Sequence, residues 1–283
     1  MALDTSIAGT ELPSWRRTWT ADEALLYAVA VGAGQHDPTE ELALTTENTQ
    51  GVRHKALGSF GIVLAQFGGP PAHHLDGVDF TQLLHAQQSI TLHRPLPTSG
   101  SVDVASTVTD LFDKGSGALV LTRTDATDAG TGEAVFTTRS GVFLRGEGGF
   151  GGDRGPSEPS PIPEDGPTRS VRFATTVNQA LLYRLTGDRN PLHSDPAFAA
   201  KGGFDRPILH GLATFGITTR LLVNACAAGD PDALAHIEGR FTKPVYPGDE
   251  LVVDIWALEE GYAFRTSNAA GEVVLDRGRL QVR

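Results

Sequence analysis

The sequence contains one cysteine, Cys226, among its 283 residues. A single cysteine excludes an intrachain disulfide and a cysteine-based metal cluster. Such scarcity is typical of a reducing compartment, so we expect the protein to be cytoplasmic. No run reaches the roughly 18 consecutive apolar residues of a membrane-spanning helix. The N-terminus also lacks a basic segment followed by an apolar run, so neither a membrane protein nor a secreted one is predicted.

Basic residues are also in short supply. The chain has 23 Lys and Arg residues against 34 Asp and Glu residues, which gives a formal net charge of −11 at pH 7. This charge repels nucleic acid and anionic membrane surfaces, so neither is expected as a partner. With 40% hydrophobic and 20% charged residues, the composition is that of an ordinary globular protein. The length suffices for one large domain or two medium ones.

Glycine and proline are concentrated between residues 146 and 167, where both helices and strands are disfavoured. The sequence therefore predicts an N-terminal unit of residues 1–145, a linker of residues 146–168 and a C-terminal unit of residues 169–283. Four short segments of the first unit recur in the same order in the second: 25–27 with 181–183, 57–62 with 212–217, 94–97 with 243–247, and 132–135 with 271–274. This order indicates a tandem duplication of one fold unit.

Each unit combines one long helix with antiparallel strands. In the second unit, apolar residues spaced by three and four predict a helix over about 211–228, with one face formed by Leu212, Phe215, Thr219, Leu222 and Cys226. Segments bounded by turn residues predict strands over 236–241, 250–258, 262–267 and 272–282. The first unit predicts strands near 89–93, 101–111, 119–127 and 134–144. The expected fold class is α+β, with two tandem helix-and-sheet units.

The helix of the first unit should be shorter than its counterpart. Leu57, Phe60, Leu64 and Phe67 are in helical phase, but residues 68–71 are Gly-Gly-Pro-Pro, which stops the helix. A shorter helix leaves unfilled volume beside the first sheet. We expect that volume to hold the apolar tail of a substrate.

The segment between Asp188 and His193 carries the residues best suited to chemistry. Pro191 stiffens this short connection, so that an acid and an imidazole converge on one spot, with Asn190 available to orient them. One such group takes a proton from water while the other gives a proton to carbon, as a hydration requires. The alternative is that Asp188 and Asn190 cap backbone groups of a turn against which His193 packs.

Gly211 begins the long helix of the second unit and favours the catalytic alternative. The first N–H groups of a helix lack intrahelical acceptors and carry partial positive charge. A glycine there lets a thioester oxygen approach closely as it becomes negative. His210 is interpreted as a structural side chain near the helix start. His73 and His74, followed by Asp76, are more typical of a solvated turn than of a metal site, so no metal is expected.

Three segments resemble the motifs of a known family, the hydratase 2 group of MaoC-like enoyl-CoA hydratases. They are Tyr183-Arg-Leu-Thr-Gly-Asp-Arg-Asn-Pro-Leu-His193, Gly203-Phe-Asp-Arg-Pro-Ile-Leu-His-Gly-Leu212 and Phe241-Thr-Lys-Pro-Val-Tyr-Pro-Gly248. The resemblance extends through the first unit at residues 27–32, 94–97 and 113–117. It covers nearly the whole chain.

This resemblance implies a double hot-dog fold, in which each helix is wrapped by its sheet, and a homodimer. It implies hydration of trans-2-enoyl-CoA to (3R)-3-hydroxyacyl-CoA with no metal or redox cofactor. Asp188 and His193 would act on one water, with Asn190 in support and the N–H of Gly211 in the oxyanion hole.

The same resemblance assigns acyl-CoA contacts to His85, Lys114 and Phe241, and a substrate-binding acid to Glu47. Lys114 suits the CoA phosphates on an otherwise acidic protein.

Two other functions fit the same fold, since a fold does not fix a function. One is an acyl-CoA thioesterase, and the other is an acyl-CoA-binding module without turnover. The pairing of Asp188 with His193 disfavours the module, and the long helix offers no catalytic acid for a thioesterase. A steroid side-chain or branched enoyl-CoA remains open as the substrate, beside a straight-chain one.

Overall fold

The computed structural model describes residues 3–70, 82–157 and 159–283. His73, His74 and Asp76 lie outside the described residues. Ten strands of the described chain form one antiparallel sheet. They are β1 (Trp15–Trp19), β2 (Leu83–Leu92), β3 (Gly100–Asp113), β4 (Gly117–Asp128), β5 (Ala134–Arg145), β6 (Arg169–Ala174), β7 (Leu234–Phe241), β8 (Glu250–Ala257), β9 (Tyr262–Asn268) and β10 (Val273–Val282).

The α-helices of the described chain are short except for the last. They are α1 (Ala21–Ala30), α2 (Leu42–Thr45), α3 (Phe60–Gln66), α4 (Gln179–Tyr183), α5 (Pro196–Lys201) and α6 (Gly211–Cys226). Single 3-10 turns cover Arg184–Thr186, Pro191–His193 and Pro231–Ala233. No described helix is long and apolar enough to cross a bilayer.

The strand order confirms the tandem duplication. The sheet runs β1-β3-β4-β5-β2-β7-β10-β9-β8-β6, so each strand of the first half has a counterpart at the same distance from the central β2–β7 pair. In that central pair Ser89 faces Glu238 and Ile90 faces Ile237. The two units therefore share one continuous sheet, as the predicted double hot-dog fold requires. Between Arg145 and Arg169 the described residues form neither helix nor strand.

The long helix α6 is buried on every side rather than along one stripe. All residues from Leu212 to Val223 are buried, which the single apolar face expected from the sequence did not predict. The reason is contact with the first unit. A Cβ on Gly216 would lie 2.6 Å from the Tyr27 hydroxyl and 2.6 Å from a methyl carbon of Val31, so α1 packs directly on this glycine.

Helix α3 is shorter than α6, as predicted, with 7 residues against 16. Strands β3 to β5 continue past the core cluster that contains α3, and their far ends form a second apolar cluster. The N-terminal residues Leu3 and Ile7 are buried in it, and Phe150 of the linker packs against it. The N-terminal segment and the linker therefore cover the far ends of these strands.

Candidate active site

The connection from α4 to α5 is held at both ends. After α4 a single 3-10 turn leads to Gly187, whose φ of 144° lies in a region that other residues rarely adopt. At the other end the Asp195 carboxylate accepts hydrogen bonds from the N–H groups of Ala197 and Phe198, and Pro196 is the first residue of α5. Asp195 is thus the N-cap of α5, and Pro196 takes the first helical position that proline favours. The segment between them presents Asp188 and His193.

Gly187→Ala is expected to lower kcat by about tenfold, because the substitution adds backbone strain of about 1–3 kcal/mol next to Asp188. The new Cβ would also lie 2.8 Å from Cβ of Phe67, so either the loop or the end of α3 must move. Steady-state kinetics together with thermal melting would measure both effects. Gly166→Ala is the matched control, since nothing lies within 4 Å of its Cβ position. Wild-type kcat in the Gly187 variant would show that a shift of the loop or of the end of α3 does not affect catalysis.

Asp188 and Asn190 do cap backbone groups, as the structural alternative proposed. The N–H of Asn190 donates to Oδ1 of Asp188 over 3.2 Å, and Oδ1 of Asn190 accepts from the N–H of Leu192 over 3.0 Å. These bonds form the 3-10 turn that ends at His193. The turn nevertheless aims the catalytic candidates at one point, because side-chain atoms of Asp188, His193 and His210 all lie within 4.8 Å of one another.

The imidazole of His193 is buried and fixed in orientation. Its Nδ1 lies 2.9 Å from the carbonyl oxygen of Ile208. Because a carbonyl only accepts, Nδ1 carries the proton in this bond and Nε2 keeps its lone pair. Burial lowers the pKa of His193, although the neighbouring Asp188 acts to raise it. His193 is therefore a neutral imidazole with a free acceptor nitrogen, which is the form of a general base.

The Asp188 carboxyl has the opposite shift. Burial raises its pKa above the ordinary value of 3.8, against the opposing influences of His193 and the Asn190 N–H. The carboxyl therefore holds a proton more readily than an exposed aspartate does. An acid with a raised pKa beside an imidazole with a lowered one is typical of acid–base catalysis.

The start of α6 lies beside this pair. His210 precedes the helix, and its ring stacks on that of His193 with 3.8 Å between centroids and 29° between planes. Gly211 is the first helical residue, and no acceptor for its N–H exists among the described residues. A Cβ on Gly211 would lie 3.3 Å from the Phe241 ring, so a larger residue here would require a small shift of that ring.

A cavity of about 1600 Å³ joins these groups and takes its walls from both units. Among the residues predicted from the sequence, those that line it are Asp188, Asn190, His193, Gly211, His85, Lys114 and Phe241. The end of α3 contributes Gln66 and Phe67, and β2 contributes Leu83 and Ala86. The cavity therefore reaches from the end of the short helix to the catalytic groups, and its use by an acyl chain stays a prediction.

Glu47 is the one predicted site residue that the structure does not bring to this cavity. It is exposed on the segment that follows α2 and is absent from the cavity walls. The nearest acid in the sequence with side-chain partners is Glu41. It forms an ion pair of 2.8 Å with Arg220 and accepts a hydrogen bond from Nδ2 of Asn224. That network joins the first unit to α6 and does not reach the cavity either. The walls of this cavity therefore do not support a direct substrate contact by Glu47, which stays a prediction.

The other first-unit residues occupy defined positions. The His85 ring lies 4.8 Å from the Phe241 ring, and burial lowers the pKa of His85 to about 4. His85 is therefore neutral, and its Nε2 lies 3.3 Å from Oγ of Ser140. The Lys114 ammonium lies 5.2 Å from the centre of the Phe112 ring and donates to the carbonyl of Arg154 in the linker. This lysine brings a positive charge to the rim of the cavity.

Two residues near the catalytic groups were not recognised as site residues from the sequence: Phe67, which lines the cavity, and His210, which packs on His193. Phe67 was predicted as helical, but its φ of −120° and ψ of 136° end α3 and bring the ring to the catalytic loop. His210 was interpreted as structural only. Its adjacency to Gly211 was the signal available in the sequence.

Asp188, His193 and His210 also form the one group among the described residues whose atoms could surround a metal ion. Both imidazoles face carbonyl oxygens, those of Ile208 and Asp188, through one nitrogen each. Their rings are nearly parallel, so their in-plane lone pairs do not converge on one ion. The arrangement fits proton transfer better than metal binding.

Comparison with known proteins gives matches in both units of the chain. The MaoC like domain matches residues 159–277, and the MFE-2 hydratase 2 N-terminal domain matches residues 18–146. The 3-hydroxyacyl-thioester dehydratase Y of Mycobacterium tuberculosis is 41% identical over 99% of this chain and 99% of its own. Enoyl-CoA hydratase ChsH3 of the same organism is 42% identical over 90% of each chain.

The fold agrees as well. The crystal structure of a MaoC-like dehydratase from Phytophthora capsici superimposes with a TM-score of 0.87 at 28% identity, covering 100% of this chain and 98% of that one. Sequence and structure thus match along the full length and in both units. The chain therefore belongs to the hydratase 2 group of the MaoC-like family.

Proposed function

We propose that the protein is an enzyme that reversibly hydrates trans-2-enoyl-CoA to (3R)-3-hydroxyacyl-CoA. The observation that carries this proposal is the convergence of Asp188, His193 and the N–H of Gly211 on one cavity. The relatives support it by name, since one is an enoyl-CoA hydratase and the other a 3-hydroxyacyl-thioester dehydratase. Hydration and dehydration of such a thioester are the two directions of one reaction.

The chemistry follows from the protonation states. Nε2 of His193 accepts a proton from water as the water oxygen bonds to C3 of the substrate. The electrons of the C2=C3 double bond move toward the thioester oxygen, which the N–H of Gly211 stabilises. C2 then receives a proton from the Asp188 carboxyl, and the proton on His193 passes to Asp188 to restore the pair. Every atom added to the substrate comes from one water, so the residues complete the reaction without a further reactant.

The substrate assignment rests on the residues that line the cavity. Lys114 supplies a positive charge for the CoA phosphates, which are otherwise repelled by a protein of net charge −11. Phe67, Leu83 and Phe241 supply apolar walls for an acyl chain. A length series of enoyl-CoAs that includes branched and steroid side-chain members would define which chains this volume accepts.

The deciding experiment follows 2-butenoyl-CoA by absorbance and determines the chirality of the product. We expect loss of the enoyl absorbance and formation of the 3R alcohol, with no free thiol. Release of free CoA, detected with a thiol reagent, would instead identify a thioesterase. Binding of the unchanged thioester without turnover would identify an acyl-CoA-binding module.

The pH dependence of kcat/KM tests the protonation state of His193. Because burial lowers the pKa of His193 below 6.5, the neutral base persists as the pH falls through that value. We expect the acid limb of kcat/KM to lie below pH 6.5, while deprotonation of the Asp188 acid produces the fall at higher pH. A pantetheine thioester without phosphates avoids interference from phosphate titration near pH 6. An acid limb centred above 6.5 would contradict this assignment.

A cytoplasmic homodimer is part of the same proposal. Val177, Leu181 and Leu185 are spaced by four residues and are 85%, 54% and 46% exposed, which is unusual for large apolar side chains. Light scattering coupled to size-exclusion chromatography would measure the mass. A mass of 29.9 kDa, that of one chain, would contradict the dimer.

A further inference from the structure

His210 contacts each part of the catalytic site. Its side chain is 0% exposed, and its ring stacks on His193 with 3.8 Å between centroids. Its Nε2 lies 3.3 Å from the backbone carbonyl oxygen of Asp188. Its backbone precedes Gly211 at the start of α6. One residue therefore touches the acid, the base and the start of the oxyanion helix.

The hydrogen bonds of His210 determine where its proton lies. The carbonyl of Asp188 only accepts, so Nε2 carries the hydrogen. Nδ1 is buried and has no hydrogen-bond partner among the described residues. A second proton would leave a buried, unsatisfied N–H beside His193, and burial accordingly lowers the pKa of His210 to about 2. His210 stays neutral at working pH, so it neither supplies nor removes a proton during turnover.

The ring is also held from the other side. Tyr183 is 0% exposed, and its ring lies 4.9 Å from that of His210 at 52° between planes. Tyr183 is the last residue of α4, directly before the turn that leads to Asp188. The imidazole is thus fixed by aromatic contacts to Tyr183 and His193 and by the bond to Asp188.

We propose that His210 is a positioning residue for the hydration. Its Nε2–H donates to the backbone carbonyl of Asp188, and its ring packs on the ring of His193. The Asp188 carboxyl and the His193 imidazole are thereby oriented toward the same water. This inference rests on the proposed function. A misplacement of about 1 Å between reacting groups lowers a rate by about a hundredfold, which sets the scale of the effect.

Two substitutions separate the contacts of His210. His210→Phe keeps an aromatic ring against His193 but removes the donor to Asp188. His210→Gln keeps an N–H donor at similar reach but removes the ring. Thr218→Val is the matched structural control. Thr218 lies on α6, away from the cavity, and the substitution removes its buried hydrogen bond of 3.0 Å to Thr266 of β9. Hydration of 2-butenoyl-CoA and the melting temperature are measured for all four proteins.

We expect His210→Phe to lower kcat by about a hundredfold with KM changed by less than about threefold, since the lost contact acts on the reacting groups. His210→Gln should recover at least about tenfold of that loss, and Thr218→Val should keep kcat within about twofold. Wild-type kcat in a folded His210→Phe protein would overturn the inference. So would equal losses in both His210 variants that track the loss of melting temperature.

A second measurement, on the wild-type protein and His210→Gln, covers the case in which His210→Phe does not fold. Protein labelled with 15N-histidine should show one neutral Nε2–H imidazole at pH 5 that is missing from His210→Gln. Titration of this signal between pH 5 and 8 would overturn the inference. Absence of any hydration by the wild-type protein would instead overturn the proposed function, which keeps the two failures distinct.

Discussion

Asp188→Asn is expected to lower kcat for hydration by about a thousandfold, within the range found when an acid–base group is lost. The amide keeps the shape and the hydrogen-bond acceptor for the N–H of Asn190, but it cannot hold a transferable proton. Burial already disfavours the charged form of Asp188, as its raised pKa shows. Removing the charge should therefore leave the melting temperature equal or higher.

The control for this substitution is Asp22→Asn, which changes an exposed acid in the first turn of α1. We expect wild-type turnover for that variant. Stopped-flow or steady-state kinetics with 2-butenoyl-CoA would measure both proteins under one set of conditions. An Asp188→Asn protein with more than about one tenth of wild-type kcat would remove Asp188 from the proton transfer.

His193→Gln should lower kcat by a comparable factor, about two to four orders of magnitude, because the base that activates water is lost. The glutamine amide can still donate to the carbonyl of Ile208, so the fold of the loop is kept. The acid limb of the pH profile should disappear together with the imidazole. His93→Gln is the matched control, since His93 is exposed and bonds to Thr137, away from the cavity. Turnover that keeps its acid limb in His193→Gln would assign the base to another group.

The sequence predicted most of the fold because its elements follow local rules. The eight inner strands were located from alternation and turn residues, and the stop of α3 from Gly68 to Pro71. The two edge strands β1 and β6 were missed. Their sequences, WRRTW and RSVRFA, are only five and six residues long, and each contains two arginines. Such short polar segments lack a periodic signal.

The candidate site was predicted unevenly. Asp188, His193, Asn190 and Gly211 lie in two sequence segments whose local geometry brings them together, and all four line the cavity. Glu47 was carried over by resemblance alone, and it is exposed and absent from the cavity walls. Phe67 and His210 take their positions from contacts across units and between segments, which no local pattern encodes.

The sequence by itself determined the duplication, the α+β class, the catalytic segment and the family, because these depend on residue order and short-range spacing. Only the tertiary structure decided that α6 is buried on all sides, that the N-terminal segment covers the far ends of β3 to β5, and that His210 touches both Asp188 and His193. These features depend on which residues, distant in sequence, come into contact when the two units pair into one sheet. Burial then sets the pKa shifts, since desolvation acts only once the site is assembled.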